Sequence, residues 1–412
     1  MNILYIGYEG FDTNNGTNHL IESMLFNFLE HGNRVIYMNS HSVGVNNDIP
    51  ETLQKCINFE SFIINRKKTN KRNFIDRYLV ALKYNSKLKK ILKVNQLEVD
   101  IAIIQSTPTA YFTVNIVKKL IRIPIIFNSF DIFPDGLHKL NKGIISVVFK
   151  IMEHMQKKMY KKVDYIIANS EDVKKTYLEK NISAEKIGVV YNWFDVNKVK
   201  NKNRNDNCFV EANSIDTSKF IVQYAGNFGY TFDYEFVLNL ANILKCNCEI
   251  VIHMIGEGAF LEEFKERAKT LSLGNLLFYP WQSSEIISDV YSTCDIELIP
   301  LAEKVIKFSY PSKTSLLMAL GKVSITITEN DSNYFKIMNS NKIGLAFEKN
   351  DIENIANQII FLSKDEKLMS EMGINAVKYA ESTLSSKVNL DLINKIIHYV
   401  IGSDKSNEHS NN

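Results

Sequence analysis

The chain has 412 residues, 45% of them hydrophobic, which is more apolar surface than one ordinary core holds, so two domains are expected. A formal net charge of +3 excludes a polycation; the five cysteines form no Cys-x-x-Cys pair, and their odd number fits reduced thiols. No run approaches ~18 apolar residues, and "MNILYIGYEG" lacks the basic start and long apolar core of a secretory leader, so a membrane-crossing helix and a signal peptide are both unexpected.

In the first half, short apolar runs alternate with longer segments of helical period. The strand candidates are 3–8, 34–39, 100–105, 124–128, 164–169 and 187–192. Helix candidates lie at 17–31, 76–93, 109–121, 143–162 and 171–179. In the first of these, Leu20, Met24, Phe28 and Leu29 share one side and Gly32 is a stop. Residues 198–219 are polar and unpatterned, either a linker or an ornamented domain start. Alternation then resumes, with strands at 220–226, 249–256, 275–280, 295–300, 323–327 and 343–347. Helices are expected near 233–244, 259–271, 284–292, 311–320, 331–338, 352–363 and 365–380. Continuous apolar strands between helices imply an α/β architecture of two doubly wound parallel sheets. The tail 402–412 is polar enough to be disordered.

Charge is uneven along the chain. Residues 61–93 carry eleven Lys or Arg against the single acid Asp76, and "QKKMYKK" follows at 156–162. Such faces suit an anionic membrane surface, or are simply solvated. A nucleic-acid partner is not expected, because no base-stacking motif accompanies the charge. The stretch 143–162 is amphipathic, with Ile145, Val148, Phe149, Met152, Met155 and Met159 on one side, which fits core packing better than immersion in lipid.

Open parallel sheets bind ligands beyond the carboxyl ends of their strands, so the strand-to-helix loops hold the candidate residues. Two such sheets facing one another would line a cleft with these loops. The first loop, "GYEGFDTNNGTNHL", carries Gly7, Gly10 and Gly16, with His19 at the start of the helix. It matches neither the dinucleotide glycine pattern nor the phosphate loop ending in Gly-Lys-Ser/Thr, so no nicotinamide or other cofactor is expected. After the fourth strand, "NSFDIFPDGLHKL" places Asp131 where a carboxylate can orient a sugar hydroxyl or act as a base, with His138 nearby. In the second half, Gly226, Asn227 and Gly229 follow one strand, and Gly256 and Gly258 the next. "YPSKTSLLMALGK" then supplies Ser312 and Lys313 at a helix start. Small residues and N–H groups at such places favour anions. No Asp-x-Asp or His-x-x-x-His occurs, so no obligatory metal is expected, and leaving-group charge falls to helix dipoles and Lys313.

Several pieces in order carry a resemblance: "GTNHLIESMLFNFLEHGNRVIYM", "DIFP", "ANSEDVKKTYL", "EKIGVVYNWFD", "YAGNFG", "MIGEGAFLEEFKERAKTLSLGNLLFYP" and "CDIELIPL" leading to "YPSKTSLLMALGKVSI". Over about residues 1–385 the chain resembles the retaining bacterial glycosyltransferases of family 4, which have the GT-B fold, and in particular the branch that builds capsule and O-antigen polysaccharide. The resemblance implies two Rossmann-like domains, an acceptor-binding 1–197 and a nucleotide-sugar-binding 198–380, with a helix at 381–401 crossing back to the first. It implies transfer of a hexose or N-acetylhexosamine from a nucleotide-diphosphate sugar, UDP first, to a lipid-linked saccharide at the anionic inner leaflet by a cytoplasmic, peripheral enzyme. It also places Gly226 and Asn227 near the diphosphate, Gly256, Glu257 and Gly258 in the next donor loop, and Ser312, Lys313 and Thr314 on diphosphate or sugar. The family pattern has two glutamates eight positions apart around the last motif; here those positions are Phe308 and Leu316. That departure favours a second reading, a non-catalytic GT-B partner that activates or scaffolds another glycosyltransferase. A sugar-nucleotide epimerase is the third, and lacks the carboxylates and histidines it needs.

Overall fold

The computed structural model describes residues 1–11, 16–42, 49–69, 74–136, 145–196 and 199–410. Contacts divide the chain into two units, one of Met1–Asn192, Phe308–Tyr310 and Lys387–Asn412, the other of Trp193–Lys307 and Pro311–Ser386.

In the first unit seven parallel strands run β1 (Asn2–Ile6), β2 (Arg34–Ser42), β3 (Phe59–Arg66), β4 (Ile101–Gln105), β5 (Ile125–Ser129), β6 (Tyr165–Ala168) and β7 (Ile187–Val189), in the order β3-β2-β1-β4-β5-β6-β7. The central strands are buried on both faces, which explains their unbroken apolar runs. β3 is absent from the strands expected of the sequence. It lies at the sheet edge, where only Ile64 is buried, so it lacks the apolar signature of its neighbours while still pairing with β2 from Phe59 to Arg66. Helix Asn18–Glu30 buries Leu20, Met24 and Phe28 as expected, with Ile21 and Leu25 in place of Leu29. Gly32 ends it at φ 75°, its N–H on Leu29 O and the Asn33 N–H on Phe28 O, a Schellman turn.

The second unit has six parallel strands: β8 (Phe220–Asn227), β9 (Ile250–Glu257), β10 (Leu276–Tyr279), β11 (Ile296–Pro300), β12 (Val323–Ile327) and β13 (Gly344–Phe347), in the order β10-β9-β8-β11-β12-β13. Of the two readings of 198–219, the ornamented domain start is the observed one. Asn207 caps a short helix, Cys208–Ala212, by accepting from the Phe209 and Val210 N–H groups, and Phe209 enters the core. Lys202 meets the carboxylate of buried Asp289 at 2.8 Å. The polar residues of this stretch therefore anchor it rather than free it.

The C-terminal helix, Ser386–Ser410, belongs to the first unit from Lys387 onward. Asn389 Oδ1 accepts from the Tyr191 N–H, Asn394 Nδ2 donates to Asn27 Oδ1, and Ile393, Ile397 and Val400 are buried. The helix continues past Gly402, into the stretch that composition assigns to a disordered tail. No proline interrupts it, and Ser403 Oγ bonds back to Tyr399 O. Residues 411–412 lie outside the described residues.

Each sheet reverses its strand order once, between β1 and β4 and between β8 and β11. Those two reversals are where open α/β sheets hold ligands.

Candidate functional site

At the reversal of the second sheet the two central strands separate. β8 pairs with β11 only at Val222–Ile296 and Gln223–Glu297, although β8 follows β9 as far as Asn227 and β11 follows β12 as far as Pro300. Ala225 thus has backbone groups turned toward a strand that has moved away. Side chains replace the ladder: Glu297 Oε1 accepts the Ala225 N–H at 3.0 Å, and Lys313 Nζ donates to Ala225 O at 2.6 Å. Lys313 Nζ also lies 3.2 Å from Glu297 Oε1 and 3.7 Å from the centre of the Tyr224 ring, a cation–π distance. Glu297 Oε2 accepts from Gln223 Nε2. Burial is the largest influence on both ions, pushing the Glu297 carboxyl up and the Lys313 ammonium down, and their mutual attraction opposes it. Sequence reasoning misses Glu297 because it sits inside a strand. A lone carboxylate between apolar neighbours in "CDIELIPL" is the available signal.

The glycines of this edge are fixed by packing. Gly226 pairs with Gly256, and Asn227 with Glu257, at the ends of β8 and β9. A Cβ on Gly226 would stand 3.3 Å from Lys313 Nζ. A Cβ on Gly258 would stand 2.5 Å from Phe228 backbone, whose oxygen accepts the Phe260 N–H. Asn227 and Glu257, the last residues of their strands, are exposed on the same edge.

The last motif differs in detail from the expected helix 311–320. The helix is Thr314–Ala319, and Pro311 to Thr314 is a turn closed by the Thr314 N–H on Pro311 O. Ser312 is exposed at the head of this turn, whereas Thr314 is buried, its hydroxyl 2.9 Å from Tyr334 OH. Leu316 is partly buried and packs with the core around Phe209, Tyr291, Ile299 and Leu317.

In the first unit, Asp131 follows β5. The Phe130 and Asp131 N–H groups both donate to Ser106 Oγ, just past β4, and Asp131 bridges Ser309. Burial pushes the Asp131 carboxyl up, a hydrogen bond from Ser309 opposes this, and the Glu9 carboxylate adds to the rise. Glu9 belongs to the loop after β1, so two acids approach one another at this sheet edge. Phe308 is buried on the same loop as Ser309, its carbonyl accepting the Ile132 N–H. Gly16 and His19 are exposed before and within the first turn of helix Asn18–Glu30. His138 lies outside the described residues. Among the described residues no group of three His, Cys, Asp or Glu could hold a metal ion, and no helix is long and apolar enough to cross a membrane.

Residues 206–379 match the family Glycosyl transferases group 1, and residues 24–198 match Glycosyltransferase Family 4. A relative in Escherichia coli (strain K12), provisionally named the colanic acid biosynthesis glycosyl transferase WcaI, is 22% identical over 257 residues, 61% of each chain. The match therefore spans about three fifths of that relative's length. HepE of Anabaena, solved in complex with UDP and glucose, aligns with a TM-score of 0.74 at 14% identity over 97% of this chain and 100% of that one. Sucrose-phosphate synthase of Thermosynechococcus elongatus aligns with a TM-score of 0.76 at 12% identity, over 98% and 99%. The fold is GT-B, with two Rossmann-like parallel-sheet domains.

Proposed function

We propose, from a chain whose two halves are glycosyltransferase domains of group 1 and family 4, that the protein transfers a hexose or N-acetylhexosamine, with retention, from a UDP-sugar to a lipid-linked saccharide in cell-surface polysaccharide synthesis. The observation that supports this reading is the parted edge of the second sheet, where the Lys313 ammonium stands beside Gly226; Asn227 and Ser312 would complete a diphosphate site there. HepE, alike in fold, was solved with UDP, and WcaI is named for a polysaccharide. Gly256, Glu257 and Gly258 flank the diphosphate from the next loop. The Thr314 hydroxyl, hydrogen-bonded with Tyr334 OH, supports the turn.

On the first unit Asp131 is the candidate for orienting or deprotonating an acceptor hydroxyl, with Gly16 and His19 at the neighbouring loop. The acceptor's lipid fits a cytoplasmic protein resting on an anionic leaflet. Helix Ile145–Tyr160 exposes Val147, Val148 and Ile151 beside Lys150, Lys157 and Lys158, and helix Phe74–Asn95 exposes Ile75 and Leu79. This corrects the expectation for 143–162 in part: Phe149, Met152 and Met159 are core, but Val148 is exposed.

A donor-panel thermal-shift assay followed by turnover with membrane extract tests the reading. UDP and one UDP-sugar are expected to raise the melting temperature; a chain that neither binds nor transfers from any donor is not this enzyme. Apolar Phe308 and Leu316 favour the second reading, a non-catalytic GT-B partner. It predicts binding without turnover until an active transferase is added.

A further inference from the structure

We propose that Glu297 is a positioning residue of the donor site: it props β8 and β11 apart and aims the Lys313 ammonium at one phosphate of a nucleoside diphosphate. This rests on the donor reading above. The register of the sheet would place Ile299 opposite Ala225 if β8 and β11 stayed paired, since Gln223 faces Glu297. Instead the Glu297 side chain takes the Ala225 N–H, and Lys313 takes the matching carbonyl. One carboxylate therefore satisfies the backbone group left by the separation and anchors the cation that satisfies the other. Breaking one partner of a buried pair strands the second charge.

The pair is arranged for a ligand as well as for the strands. An ammonium has three N–H donors. Ala225 O and Glu297 Oε1 take two, and the Lys313 side chain keeps 14% exposure, whereas Glu297 has none. Gly226 lies beside the ammonium: a Cβ there would stand 3.3 Å from Nζ, so a larger residue would crowd it. Glu297 is sealed behind Lys313 and touches no ligand, so it acts through the lysine. The other titratable groups facing the pair are Tyr224 on β8, Tyr291 on helix Ile287–Thr293, and Cys294, which itself feels Lys322, Asp295 and Arg204. Burial raises all three, Cys294 to about 12, so they keep their protons through neutral and mildly alkaline pH.

The test is UDP binding by calorimetry from about pH 7 to about pH 9, above the phosphate's own titration near pH 6. Wild type is expected to change by less than about twofold, because Glu297 holds the proton on Lys313. Glu297→Gln keeps the shape and removes the charge; its affinity is expected to fall at least about tenfold across the window as the unpaired ammonium deprotonates. Glu297→Asp restores part of the flat profile, and Lys313→Met binds weakly at every pH. A second measurement needs no ligand. The melting-temperature losses of E297Q and K313M are expected to sum to more than the loss in the double variant. UDP binding by E297Q as tight and as flat as wild type, or an additive cycle, overturns the proposal while leaving the donor reading intact. A wild-type chain that binds no UDP overturns the donor reading and the positioning role with it.

Discussion

Gly256 lies opposite Gly226 where β8 and β9 end, and a Cβ on Gly256 would stand 1.9 Å from the Gly226 carbonyl oxygen. Gly256 also holds φ at 143°, where side chains are strained. No rotamer change can relieve a clash with backbone. Gly256→Ala is therefore expected to cost about 3 kcal/mol or more and to abolish donor-induced stabilisation. Gly274 is the control: nothing lies within 4 Å of the place its methyl would take, so Gly274→Ala should change stability by less than about 0.5 kcal/mol. Thermal unfolding of both variants checks the contrast; an unperturbed Gly256→Ala would mean the two strands can part at this point.

Asp131 gives a prediction whose sign depends on pH. Its carboxyl is held above the ordinary value, so the folded state prefers the protonated form. Below the unfolded value, near pH 4, both states are protonated and nothing is lost. As pH rises through the folded value, the unfolded chain releases its proton more readily and stability declines. Asp131→Asn should then be more stable than wild type at neutral pH, with the difference closing below about pH 4. Under the proposed role, transfer should fall by at least about a hundredfold in the same variant. Melting curves across pH and one turnover assay separate the two effects. A variant no more stable than wild type at neutral pH contradicts the raised carboxyl.

His253 should make the second unit acid-sensitive. It is buried within β9, 5.0 Å from the Tyr279 ring, and burial, helped by Arg204, lowers it to about 4. Its contribution is fully present above the unfolded value of about 6.5 and is lost as pH falls toward about 4, a change of about 3 kcal/mol. His253→Phe keeps a ring against Tyr279 and should remove that slope. Both tryptophans, Trp193 and Trp281, belong to the second unit, so tryptophan fluorescence follows its unfolding directly. An unchanged acid slope in the variant would assign the sensitivity elsewhere.

What the sequence disclosed follows from what burial does to composition. Strands such as β1, β4 and β12 are covered on both faces, so "ILYI", "IAIIQ" and "VSITI" announce themselves. β3 is invisible because an edge strand needs no such coverage, and "FESFIINR" mixes polar and apolar residues accordingly. At the site, the loops after β8 and β9 are legible because glycines mark close backbone approach, and the one after β11 by its Pro-Ser-Lys-Thr run. The partnership of Lys313 is not. It depends on Glu297, sixteen residues earlier on another element, and on two strands parting midway. Neither spacing nor periodicity carries a register change of that kind.

Leu316 closes the matter of the apolar turn after Lys313. It is partly buried with Phe209, Tyr291 and Leu317, so the residue standing where the resembled family carries an acid is part of a packed core here. Leu316→Glu trades that contact for a carboxylate at the core's margin. Losing part of a leucine's burial should cost about 1–2 kcal/mol at neutral pH. Acidifying through the carboxyl range should recover some of it, because the protonated acid is cheaper to bury. UDP binding should survive, since Lys313 and Glu297 keep their own bonds. Thermal shifts with and without UDP at two pH values read all three effects. If stability is unchanged and UDP binding is lost, Leu316 is a ligand contact rather than a core residue.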